Sequence, residues 1–262
     1  MKAVAAVFCA VMCLAQAAPA GSYGASQEKK FDLFLTTGYG FGVGGYQDSS
    51  SDFSATYSPN ITSREDHYRN FGWGLKIEGG ADYKLMDHLY GQAALNFSFS
   101  AVPGTENVQD YTGVSTRSVK YSWSIFGLKA GIKPTFRIFD LLDAYTTFGI
   151  GLYFANSGAD ISQSIIGAGE STEKAKDHNT PALTFIGAIG AEYPITESII
   201  AYGEINCEQM SFTTTKIEYV EATGVFNNRV VNFQEDATDR SSPPKIPGTN
   251  IALRIGVRFP IF

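Results

Sequence analysis

Ile251-Ala-Leu-Arg-Ile-Gly-Val-Arg-Phe259 alternates without a break. Ile251, Leu253, Ile255, Val257 and Phe259 share one face of an extended chain, and Arg254 and Arg258 share the other. Strand side chains point to opposite sides with period two, so this segment is a strand whose faces meet different media. The pattern recurs upstream. In a first strand, Phe31 to Tyr46, Phe31, Leu33, Leu35, Tyr39 and Phe41 oppose Asp32, Thr36, Gly38, Gly40 and Gly42. In a second, Asn70 to Lys84, Phe71, Trp73, Leu75, Ile77 and Tyr83 oppose Lys76, Glu78 and Asp82. Leu89 to Phe99, Tyr145 to Phe154, Leu183 to Tyr193 and Ile199 to Glu208 behave alike. Between Tyr121 and Ile132 the phase changes, which predicts a β-bulge near Phe126-Gly127. No helical period of useful length occurs.

The connections alternate in length. Residues 47–69, 103–117, 156–180 and 216–248 are long and polar, whereas 86–88 and 194–197 are tight and 134–143 is intermediate. Long loops at one end and short turns at the other suit a barrel in a bacterial outer membrane. The expectation is an all-β, up-and-down antiparallel transmembrane β-barrel of about eight strands, with both chain ends on the short-turn side.

The N-terminus reads as a cleavable export signal over residues 1–20. Lys2 is positive, Ala3 to Leu14 is apolar, and Ala18-Pro19-Ala20 supplies small residues at the cleavage positions. That apolar run is too short to span a bilayer as a helix. A short segment, 21–30, then precedes a barrel domain over 31–262. Cys9 and Cys13 leave with the signal, so Cys207 has no intrachain partner and is expected to be buried or lipid-facing. A net charge of −6 argues against a nucleic-acid partner, because phosphate binding needs clustered Lys and Arg. The mean hydropathy of −0.07 suits a wall in which only every second strand residue meets lipid.

Alternation alone does not say which face is inside. The apolar faces carry almost no charge over the length needed for a tilted strand to cross a bilayer. Tyr83 and Tyr193 near short turns, and Trp73 and Tyr121 near long loops, fall where interfacial aromatics belong. The polar faces carry Lys76, Glu78, Asp82, Lys129, Glu192, Glu204, Arg254 and Arg258. Facing inward, these would be either a constriction that selects solutes or a plug of mutually neutralising charges. An eight-stranded interior is just wide enough for side chains, which favours the plug.

The closing segment Arg254-Ile-Gly-Val-Arg-Phe-Pro-Ile-Phe262, the signal peptide, the Gly/aromatic-rich strands and the loop alternation resemble the small outer-membrane β-barrel proteins, the group containing the OmpA and OmpX transmembrane domains. The resemblance implies that Phe262 belongs to the signal read by the barrel-insertion machinery. Pro260 and Arg258 depart from the group's pattern, which has apolar residues two and four before the final Phe; either a kink at Pro260 resets the phase or Phe262 overhangs the strand.

Other motifs point to no chemistry. Gly40, Gly42 and Gly45 fit a dinucleotide fingerprint, but no helix follows to receive a phosphate, so room for neighbouring lumen side chains is the better reading. His67, His88 and His178 lie far apart. Ser63, Asp66 and His67 can be drawn as a triad only by proximity along a polar loop. No catalytic residue, cofactor or metal site is expected. Acidic loop residues, including Asp48, Asp52, Glu65, Asp66, Glu235, Asp236 and Asp239, would be solvated or would chelate cations together with lipopolysaccharide. The expected partners are the lipid bilayer, lipopolysaccharide, the insertion machinery and an extracellular ligand reached through the loops. Three roles follow: a structural or surface-interaction protein, a narrow channel for small or apolar solutes in the manner of OmpW-like barrels, or a soluble periplasmic binding barrel.

Overall fold

The computed structural model describes residues 31–44, 46–47, 68–99, 105–109, 115–139, 142–165, 169–224, 229–232 and 245–261. The signal segment, Phe262 and the Ser63, Asp66 and His67 cluster lie outside them, as do the seven acidic loop residues named above. The strands in chain order are β1 (Phe31–Gly42), β2 (Tyr46–Gln47), β3 (Tyr68–Arg69), β4 (Gly74–Met86), β5 (Leu89–Phe99), β6 (Thr105–Gln109), β7 (Ser115–Phe139), β8 (Leu142–Ile165), β9 (Gly169–Asn179), β10 (Ala182–Thr196), β11 (Ile199–Gln209), β12 (Ser211–Val220), β13 (Arg229–Asn232), β14 (Lys245–Pro247) and β15 (Asn250–Ile261).

Eight of them close a barrel in the order β1-β4-β5-β7-β8-β10-β11-β15, with β15 returning to β1. All these pairings are antiparallel between barrel neighbours in sequence, so the topology is up-and-down. Phe31 pairs with Ile261, which sets the two ends of the barrel side by side at the rim that carries the short turns. One of those turns places His88 at φ 64°, the left-handed conformation that closes a tight reversal.

The exterior is apolar and open. Leu128, Ile150, Phe185, Ile189, Ile205, Leu253 and Ile255 are exposed, and Ile189 and Ile255 each keep 69% of their surface accessible. Meanwhile Lys76, Glu78, Asp82, Lys129, Arg254 and Arg258 are at most 9% exposed. A barrel in water has the opposite arrangement, so the medium around this wall is hydrocarbon. Tyr83 and Tyr193 mark its lower rim and Trp73 its upper rim, all about half exposed. Cys207 is free and exposed on the same lipid-facing side, in register with Ile251.

The structure corrects four expectations. First, there is no bulge at Phe126-Gly127: β7 pairs with β5 from Phe99–Ser124 to Leu89–Pro134 without a shift. Leu128 and Ile132 face out while Ile125 faces in, because the upper lumen is itself apolar and accepts it. Second, Tyr121 packs beside buried Ala159, Ile161 and Ala175 rather than marking an interface. Third, residues 103–117, 156–180 and 216–248 are not simply loops. They contain β6, β9, β13, β14 and the ends of β7, β8 and β12, which extend the wall as a fin above the barrel. Their Ser, Thr, Lys and Glu carry no apolar period, yet an adjacent strand edge offers them backbone pairing. Fourth, of the two readings of the chain's end the kink is excluded: β15 runs straight through Pro260, which stays in register with Asp32, while Phe262 lies outside the described residues. Pairing of β15 with β11 ends at Arg258, so the missing N–H of Pro260 costs no bond on that side.

Candidate functional site in the barrel lumen

Inward side chains fill the barrel in layers. The middle layer joins three acids, Glu78, Glu204 and Glu208, to three cations, Lys76, Lys129 and Arg254. Glu208 is its hub. It accepts from Lys76 at 2.7 Å and Arg254 Nη2 at 2.7 Å, lies 2.6 Å from Lys129, and also accepts from Tyr153 at 3.1 Å and Asn250 at 3.2 Å. Glu78 accepts from Lys129, from Arg254 Nη1 at 2.8 Å and from Asn96 at 3.2 Å. The links join strands that are not neighbours: β4 to β11, β7 to β11 and β4 to β15. A buried charge is tolerable only when paired and hydrogen-bonded, and a matched set of three and three meets that condition.

A second cluster lies nearer the short turns. Arg258 contacts Asp82 at 3.0 Å and Glu192 at 2.7 Å, and stands 3.9 Å from Asp32. Lys133 bonds Glu192 and reaches Asp82 at 3.4 Å, and Gln92 donates to Asp82 at 2.9 Å. Between the clusters sits an aromatic layer of Phe34, Tyr145 and Tyr202. It belongs to both: Tyr145 donates to Glu204 at 2.9 Å while Lys133 lies 4.2 Å over its ring, and the Arg258 guanidinium lies 5.7 Å from the Tyr202 ring. Above the middle layer, Phe71, Ile125, Tyr153, Met210, Phe212 and Ile246 form an apolar cap with Trp123 packed against it. Backbone bonds from Phe71 to Pro247 and from Gly248 to Met210 tie the cap to the loops entering β4 and β15.

Glycine makes this filling possible. A Cβ at Gly40 would lie 2.5 Å from the Lys76 stem, and one at Gly256 would lie 2.5 Å from the Tyr202 ring. Gly40 thus lies in β1 beside a lumen lysine, and among the described residues β1 is followed by the short strand β2 and not by a helix. Between the middle layer and the β7–β8 wall lies a cavity of ≈ 10 Å³, about one water probe in size.

All eight lumen charges expected from the sequence are inward and buried, or nearly so, and they divide between the two clusters. The Glu204–Arg254 contact is the loosest in its layer at 3.4 Å. Sequence reasoning missed Glu208 and Lys133 as members. Glu208 shares the phase of Glu204 and was within reach of the pattern; Lys133 lay just beyond the segment assigned to the fourth strand. Of the histidines, His88 is in a turn, and His178 is half exposed on the fin, 3.4 Å from Glu218.

The architecture is that of a small bacterial outer-membrane β-barrel. No protein-family model and no curated protein matches the chain. Solved structures similar to it include a major outer membrane protein from Thermus thermophilus, at 13% identity and a TM-score of 0.48, covering 87% of this chain and 98% of the other. Neisserial surface protein A is similar at 11% identity and a TM-score of 0.42, covering 88% and 97%. Ail, the attachment invasion locus protein of Yersinia pestis, is similar at 11% identity and a TM-score of 0.31, covering 89% and 100%. The strand registers and the inverted polarity of the barrel carry the assignment without these likenesses.

Proposed function

We propose that this outer-membrane barrel is a non-conducting, non-enzymatic anchor, whose work is done at the cell surface by the fin and loops. The observation that carries this is the series of inward layers among the described residues: two buried ion clusters, an aromatic layer and an apolar cap, with a cavity of ≈ 10 Å³ beside the middle one. An ion crossing it would have to break several buried pairs in turn, each in a medium where unpaired charge is costly. A route for apolar solutes is no better served, since beneath the apolar cap the path meets six buried charges. The fin supports a surface role: it lifts exposed Lys174, Lys176, His178 and Glu221 above the apolar belt, where lipopolysaccharide or an extracellular ligand would meet them.

Conductance in planar bilayers tests the proposal. The full-length mature protein should insert without steady ion current. A large, persistent open state would overturn the plug and make the chain a channel.

A further inference from the structure

Within the closed lumen one small space is chemically unlike the rest. The cavity of ≈ 10 Å³ is bordered by Glu78, Lys129, Thr147, Glu204, Asn206 and Arg254. Two of these keep a buried polar atom without a partner among the described residues: Oδ1 of Asn206 and Nε of Arg254. The two residues are 2% and 3% exposed. One is an acceptor and the other a donor, on neighbouring strands β11 and β15, and Glu204 of β11 pairs in register with Arg254. An unsatisfied buried donor or acceptor carries the full cost of its lost hydration. A cavity of this size holds one water if it offers two to four polar partners.

We propose that a single, slowly exchanging water occupies this cavity as a fixed member of the middle charge layer, accepting from Arg254 Nε and donating to Asn206 Oδ1. The carboxylates bordering it already have cationic partners in Lys129 and Arg254, so the site holds a neutral guest and not a metal cation. This rests on the plugged-lumen reading and deepens it: the plug is completed by solvent that does not flow.

Water-to-protein magnetisation transfer in lipid-embedded, isotopically labelled barrel tests the site. Gly131 and Gly149 border the same cavity and have no side chain to shield their α-protons. A cross-peak from long-lived water to one or both α-protons is expected in the wild type. It should be lost in Asn206→Leu, kept in Asn206→Asp, and unchanged when sodium is replaced by caesium. Absence of the wild-type cross-peak, its persistence in Asn206→Leu, or its dependence on the cation would each overturn the water site. Fast-exchanging water along the whole inner face, reaching Thr36 and Gly190 as well, would instead overturn the plug.

Discussion

The lumen and the fin use the same residue types in opposite circumstances. In the lumen, Lys76 meets Glu208 with side chains 4% and 0% exposed. On the fin, Lys174 meets Glu221 with side chains 54% and 63% exposed. The buried pair has given up its hydration and depends wholly on its partners. The exposed pair exchanges one good solvent contact for another and is screened by salt. Lys174 still holds the Glu221 carboxyl below its ordinary value, chiefly through a hydrogen bond, but water at hand discounts that in the folding equilibrium. A lysine and a glutamate facing each other across strands therefore do not have one fixed meaning; the medium sets it.

The largest effect should come from removing the hub. Glu208→Ala leaves Lys76, Lys129 and Arg254 facing an emptied site and should destabilise the barrel by about 3–5 kcal/mol. Urea unfolding in vesicles measures this. The double change Lys76→Met with Glu208→Leu should cost less than the sum of the single changes, because they share one network. Additive costs would mean that the lumen is hydrated and the contrast with the fin is false.

Next in size is the lipid face. Ile150→Arg places a charge on an exposed position of the apolar belt and should cost about 2–4 kcal/mol. Asp160→Arg lies on the same strand and the same face, ten residues further up the fin, so it should change the unfolding midpoint little. Equal costs at the two positions would put the membrane boundary in the wrong place.

Smaller again is the packing of the aromatic layer. A Cβ at Gly256 would press on the Tyr202 ring, so Gly256→Ala should cost about 1–3 kcal/mol through overpacking. Tyr202→Leu in the same chain should recover part of it.

At the bottom of the scale, Lys174→Ala should leave the unfolding midpoint unmoved. Acidification should act differently in the two regions. Because Lys174 depresses the Glu221 carboxyl, that pair's contribution is complete above the ordinary carboxylate range and is lost as pH falls from there through the lowered value. Being fully solvated, its loss should go undetected, and any acid unfolding of the barrel should follow lumen substitutions such as Glu208→Gln and not Glu221→Gln.

Much of this was legible in the chain. The period-two alternation marks the eight barrel strands, because a wall between hydrocarbon and a packed lumen forces a change of side-chain type at every residue. The direction of facing followed from where the charges clustered, since Arg254, Arg258, Glu204 and Lys76 share phases that exclude lipid. What alternation could not register was chemistry that does not change from face to face. The fin strands have one buried face, but it mixes Ala159, Ile161 and Ala175 with Ser171, Glu173 and Asp177, so the alternation is weak and they read as loops. Ile125 and Trp123 read as a phase error, because nothing in a one-dimensional pattern says that the upper lumen is apolar. Partner choice was also hidden: Glu208 bonds Lys76 and Lys129 from strands that are not its neighbours. Sequence by itself determined that each barrel strand has one polar or charged face and one apolar face. Only closure of the barrel decided which charged residues meet, because contact across a lumen depends on the register of all eight strands at once.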